Sequence, residues 1–176
     1  LKLVLPITGR KPESMIIEKP VTQNKEDFLT VMRLCKQAEI KAYTHYTLRF
    51  QPFCKILKEM VIPDQPFEVT SMLPAMGIAC VGIHYIDLFL WLFNINKPLL
   101  VAYSFLGKYE QKRKGFYDMY GELIIRSEKS GTGRFINSEL GGLRTLEIMQ
   151  ENRVISVYED QRVMTILNKK DNKTIE

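Results

Sequence analysis

The chain has 176 residues, 45% of them apolar and 26% charged, with a net charge of +5. This balance describes a globule of one domain or a little more and excludes a disordered or fibrous chain. The basic residues are scattered singly, with Lys112-Arg113-Lys114 the one cluster of note. That is a solvated loop rather than the basic stripe a nucleic-acid binder would show, so no nucleic-acid partner is expected.

In chain order, Leu1 to Ile7 is an apolar run with Pro6 near its end, and Gly9, Arg10 and Pro12 mark a turn. Ser14 to Ile17 is a short buried-strand pattern closed by Glu18-Lys19-Pro20, where proline ends ladder pairing. Asn24 can cap a helix from about Lys25 to Ala38, with Phe28, Val31, Met32, Cys35 and Ala38 on one buried face. Ile40 to Tyr46 is rich in β-branched and aromatic residues and predicts a strand. Pro52 suits the first turn of a second helix with an apolar stripe of Phe53, Ile56, Leu57 and Met60, and Pro63-Asp64-Gln65-Pro66 ends it. Phe67 to Thr70 alternates as a strand, and a loop from Ser71 to Val81 leads to a buried helix beginning near His84.

From Leu99 onward the pattern is one of strands and turns. Candidate strands are Leu99–Phe105, Met119–Arg126, Gly133–Asn137, Arg144–Gln150, Val154–Glu159 and Val163–Asn168, separated by short turn segments that favour an antiparallel meander. The tail from Lys169 is polar and expected to fray. No internal repeat or low-complexity segment is present.

Cys35, Cys54 and Cys80 are odd in number and far apart, which predicts reduced thiols, no metal site and a cytoplasmic protein. The apolar stretch from Met76 to Phe93 is interrupted by two glycines, His84 and Asp87, so a buried helix entered from a loop is expected and no membrane partner. The chain starts at Leu1 without a signal-peptide pattern, and the missing initiator methionine leads us to expect a fragment of a longer protein.

Gly82-Ile83-His84-Tyr85-Ile86-Asp87 places an imidazole and a carboxylate on one helix face, shared with Trp91. Alone, such a pair is more often a hydrogen-bonded core histidine with its partner than an active-site corner. Taken together with Glu18-Lys19-Pro20 after one strand and Arg49-Phe50-Gln51-Pro52 after the next, it resembles the Gfo/Idh/MocA oxidoreductases, over roughly Met15 to Leu167.

The resemblance implies an α/β (α+β) fold with a large, mainly antiparallel open sheet and helices packed on one face. Residues 1–20 would be the C-terminal remnant of a dinucleotide-binding Rossmann domain. Residues 21–176 would be the substrate-binding and dimerisation domain. It implies catalytic roles for Lys19 and His84, with Asp87, Cys80 and Glu18 in support. Arg49 and Tyr85 would bind substrate, and Lys19 and Pro20 would meet NAD or NADP. The implied substrate is a sugar or nucleotide-linked sugar, and the implied assembly is a homodimer or higher oligomer through the sheet. A base near neutral pKa at His84 would take up the hydroxyl proton, and an ammonium at Lys19 would stabilise developing negative charge.

Two departures stand out. Many members carry an aspartate four residues before the histidine, where this chain has Cys80, expected here to be a small buried hydrophobe. No GxGxxG-type loop occurs, so the turn that cradles dinucleotide phosphates is missing and the chain by itself is expected to bind NAD(P) weakly and to be inactive. The alternative is a non-catalytic binding or dimerisation module that keeps the fold.

Overall fold

The structure is a computed structural model that describes residues 12–112, 114–128, 130–140, 142–170 and 173–175. The apolar run Leu1 to Ile7 lies outside the described residues. The chain divides into two compact units, the first ending at Tyr46 and the second beginning at Thr47.

In the first unit, strands β1 (Ser14–Glu18) and β2 (Lys41–His45) pair in parallel, joined through helix α1 (Lys25–Gln37). The helix starts where Asn24 leaves extended backbone: its side-chain oxygen accepts from the Asp27 amide at 2.8 Å, and its Nδ2 donates to the Asp27 carboxylate at 2.7 Å. This double bond satisfies an amide that the helix itself leaves open. The expected apolar stripe of α1 is covered only in part. Cys35 is buried, but Phe28 and Met32 are exposed, because a two-stranded sheet is too narrow to cover a helix of 13 residues.

The second unit is an eight-stranded sheet with helices α2 (Pro52–Met60) and α3 (Ile83–Leu92) packed on one face. Its strands are β3 (Phe67–Pro74), β4 (Leu99–Glu110), β5 (Tyr117–Arg126), β6 (Gly131–Ser138), β7 (Thr145–Gln150), β8 (Arg153–Tyr158), β9 (Val163–Asn168) and β10 (Lys173–Ile175). Their spatial order is β10-β9-β8-β7-β3-β6-β5-β4. The sheet is mainly antiparallel, as expected, but it is not one meander. Strand β3 sits in the middle, parallel to β6 and antiparallel to β7, and so divides the later strands into two meanders. It also runs to Pro74, past the expected end at Thr70, because Ser71 and Leu73 continue the buried alternation of Phe67 and Val69. The tail does not fray completely: Lys173–Ile175 adds to the edge of β9.

The core lies between the two helices and the sheet. Helix α2 turns Cys54 and Leu57 inward, with Val61 just beyond its end, while Ile56 of the expected stripe is exposed. Four phenylalanines form the centre. Phe67 stacks on Phe93 with ring centroids 3.6 Å apart, and Phe89 meets Phe67 and Phe135 edge-on at 5.9 and 5.7 Å. Two inward positions of β6 are glycines, and a Cβ at Gly131 would stand 2.0 Å from the Phe67 ring. The rings fit because those positions are empty of side chain.

Phe93→Ala removes a fully buried ring from this cluster and is expected to lower unfolding stability by about 3–5 kcal/mol in urea titration. Gly131→Val is expected to be at least as damaging, since its side chain would have to displace the Phe67 ring.

Candidate active site

The His84 corner is built from the turn that precedes it. After β3, Ala75 and Gly77 both take positive φ, of 52° and 87°, and the chain makes one turn of π-helix (Ile78–Gly82) that runs directly into α3. Such a turn leaves backbone N–H groups without helical partners. Two buried polar side chains from the sheet receive them. Asn137 on β6 accepts from the Met76 and Gly77 amides, each at 3.1 Å, and its own Nδ2 donates to the Met119 carbonyl at 2.7 Å. Asp118 on β5 accepts from the Ala79 and Cys80 amides, each at 2.9 Å. Gln111 donates to Asp118 at 3.3 Å.

Glycine is required at position 77 twice over. Its φ is one that side chains disfavour, and an added Cβ would lie 1.9 Å from the Asp118 carboxylate. Asp118 and Asn137 therefore set the path by which the chain enters α3.

At the other end of α3, the Lys58 ammonium donates to the carbonyls of Trp91 and Leu92 at 2.6 and 2.8 Å and to the Asn94 side chain at 2.8 Å. Those carbonyls are the ones a helix leaves open, and a cation there complements the helix dipole. Burial lowers the Lys58 pKa. The helix that carries His84 is thus fastened at both ends by side chains from other elements.

His84 occupies the second position of α3 and is half-buried. Asp87, one turn on, is claimed by Arg49, whose Nε donates at 2.8 Å to one carboxylate oxygen while its Nη2 donates to the other. This two-pronged pair joins α3 to the 3₁₀ turn Leu48–Phe50. Arg49 is held by this pair while a third of its side chain stays exposed.

Tyr85, expected among the substrate-binding residues, is turned the other way. It is 2% exposed and its hydroxyl donates to Glu159. Burial and the Glu159 charge raise the Tyr85 pKa, and burial raises that of Glu159. Successive residues of a helix point about 100° apart, so His84 and Tyr85 cannot share a face. Cys80 also departs from expectation, being exposed rather than buried, because the π turn carries its side chain outward while its amide is fixed on Asp118.

Lys19 and Pro20 belong to the first unit and follow directly on β1, joined by a cis peptide bond. Glu18, the last residue of β1, pairs through its carboxylate with Nδ1 of His45, the last residue of β2 and its partner in the parallel register. That hydrogen bond lowers the Glu18 pKa. His45 carried no signal in the sequence, because the contact depends on the pairing of strands 27 residues apart. Asp118 and Asn137 were missed in the same way, although an asparagine at an inward strand position after Gly131, Gly133 and Phe135 is a visible oddity.

The phosphate cradle of a dinucleotide site is not formed by the described residues. The link from β1 to α1, Lys19 to Asn24, contains no glycine, so no backbone there can approach a pyrophosphate in the manner of a glycine-rich turn. Among the described residues, no cluster of three or more His, Cys, Asp or Glu could hold a metal ion, and no helix is long and apolar enough to cross a membrane.

Neither a protein-family model nor a curated protein matches the chain. Solved structures do. An NAD-binding oxidoreductase from Klebsiella pneumoniae superposes with a TM-score of 0.70 at 10% identity, over 92% of this chain and 54% of that one. An oxidoreductase from Agrobacterium radiobacter, solved with NAD+, L-tartaric acid and magnesium, gives 0.65 at 15% identity over 91% of this chain and 52% of that one. The UDP-N-acetylglucosamine 3-dehydrogenase of Acidithiobacillus ferrooxidans gives 0.64 at 15% identity, over 92% and 55%. The chain therefore shares the fold of these enzymes and spans a little over half of their length.

Two outcomes follow from this geometry. Asp118→Ala leaves the Ala79 and Cys80 amides without their acceptor and is expected to cost about 1–3 kcal/mol in urea unfolding. In native protein at pH 8, iodoacetamide is expected to label Cys80 first by mass spectrometry. Cys54 should label only on unfolding, since it is buried and its thiol pKa is pushed up to about 12.

Proposed function

We propose that this chain is the substrate-handling part of an NAD(P)-dependent oxidoreductase of the Gfo/Idh/MocA type, acting at a hydroxyl or carbonyl of a sugar or nucleotide-linked sugar. The single observation that carries the proposal is His84, held near the start of a helix that is fastened at both ends, with a guanidinium locked one turn away on Asp87. The fold it shares with NAD-binding oxidoreductases and with a nucleotide-sugar dehydrogenase supports it.

Oxidation at a carbinol carbon requires the hydroxyl proton to leave, and His84 is the group offered to take it. A half-buried imidazole on a fixed helix has the constant direction that an acid/base group needs. For Lys19, in the first unit, the resemblance suggests the stabilisation of developing negative charge. Asp87 and Arg49 would keep the helix entrance in register. Cys80 is exposed on the turn before His84 and takes the place where an aspartate would otherwise stand. The nicotinamide dinucleotide would have to be held by residues other than those described, since the glycine-rich cradle is not among them. Three free thiols fit a reducing, cytoplasmic setting.

A second reading is favoured by one specific observation. Strand β4 ends the sheet and exposes Leu99, Leu100, Tyr103 and Leu106, the last at 83%. A long apolar edge of this kind invites pairing with another chain. A homodimer through the sheet would cover it, either as part of the enzyme or as the whole purpose of a non-catalytic module.

With the nicotinamide cofactor and a nucleotide-sugar panel supplied to the full protein, His84→Asn is expected to lower turnover by about 10²–10⁴-fold. Lys19→Ala is expected to lower it comparably. Unchanged turnover in both variants would remove the assignment. If the module reading holds instead, no turnover is found, and sedimentation gives a dimer that Leu106→Lys dissociates.

A further inference from the structure

We infer that the second unit carries a ligand site of its own, for a small organic anion with an apolar body. The site is a cavity of about 570 Å³, within the range of ligand pockets. His84, Arg49 and Asp87 do not line it, so it is separate from the corner described above and does not rest on the oxidoreductase reading.

The cavity lies where the N-terminus of α2 faces strands β8 and β9. Its apolar wall is made by Phe53 of α2, Val157 of β8 and Met164 of β9. The polar side chains on it are Gln51, Arg144, Glu159 and Arg162. Two of these are already satisfied. Arg144 is bound to Asp160 through Nε at 2.8 Å and Nη2 at 2.6 Å, and its Nη1 stands 3.8 Å from the Glu159 carboxylate. Glu159 in turn accepts from the Tyr85 hydroxyl.

The other two are exposed and have no side-chain partner among the described residues. Arg162, held at a φ of 57° in the turn between β8 and β9, is exposed, and among the described residues its guanidinium makes no hydrogen bond or ion pair. Gln51 is the N-cap of α2 and makes no side-chain bond to the helix. Pro52 follows it at the first helical position, so the positive end of the α2 dipole also faces this opening.

Arg144 pairs with both Glu159 and Asp160, and Glu159 is also met by Tyr85. Arg162 is therefore the lining cation that no carboxylate of the described residues contacts. A cationic ligand would be repelled by it, and a neutral one could accept from Arg162 and Gln51 but would leave the charge of Arg162 unmatched. An anionic head on Arg162 with an apolar body against Phe53, Val157 and Met164 engages the unpaired cation and the apolar wall together. The head group is a carboxylate or a phosphate monoester, both of which a guanidinium binds by two parallel hydrogen bonds.

The test is a titration of the 176-residue chain with benzoate, phenyl phosphate and neutral benzyl alcohol, followed by calorimetry and amide NMR. At least one anion is expected to bind saturably, shifting residues 51–54 and 157–164, with benzyl alcohol at least about tenfold weaker. Arg162→Gln should weaken the anion by about tenfold or more, while Lys108→Gln, a charge loss outside the cavity, should leave it unchanged. Val163→Trp, which places a ring in the cavity mouth, should abolish binding with a dispersed spectrum retained. The inference is overturned if neither anion binds, if benzyl alcohol binds as well as the anions, or if Arg162→Gln binds them unchanged.

Discussion

Asp118 and Asn137 hold this structure's candidate site in place. Each is buried, each comes from a strand of the central sheet, and between them they accept four backbone N–H groups from the turn Met76–Cys80. A partly buried turn with unmet amides would be costly, by about 1–3 kcal/mol for each group left open away from water. Here the cost is removed by side chains that can be supplied only once β5 and β6 are assembled. The turn and the sheet are therefore mutually dependent, and the direction in which α3 leaves the turn follows from that dependence.

The rest of the second unit follows from it. Helix α3 is apolar along most of its length, and its inward residues Leu88, Phe89 and Leu92 form the centre of the core. Burial holds the helix against the sheet but does not fix its position along its axis. Polar contacts provide that: Asp118 and Asn137 ahead of its start, Lys58 at its end, Arg49 on Asp87 along its side, and Tyr85 on Glu159 at the opposite side. The result is one polar face bearing His84 and Asp87 on a helix otherwise committed to the interior. The position of that face along the helix axis is set by these polar contacts rather than by apolar burial.

Local structure was legible in the sequence wherever the signal was local. Asn24 with Asp27 and the proline at the start of α2 each act within a few residues, and the corresponding helices begin where those residues place them. The strands of the second half were legible as strands for the same reason. What pairs with what was not. The central position of β3 depends on contacts with β6 and β7, more than sixty residues away in sequence, and alternation alone cannot distinguish a central strand from an edge. The site divides along the same line. His84 and Asp87 stand out as an unusual pair in an apolar run. Asp118, Asn137 and His45 are ordinary residues in ordinary strands, and Glu159 one in a turn, until the fold brings each to its partner. Tyr85 shows the converse error, since adjacency to His84 in sequence means a different face on a helix.

If the turn is held as described, its amides are among the best protected in the unit. Native-state hydrogen exchange of Met76, Gly77, Ala79 and Cys80 measures this directly. The account predicts that all four exchange only in openings that approach global unfolding, and that Asp118→Asn speeds Ala79 and Cys80 selectively while amides of β8 and β9 keep their rates. Exchange of these amides at the rate of an exposed loop in the unmodified chain would contradict it.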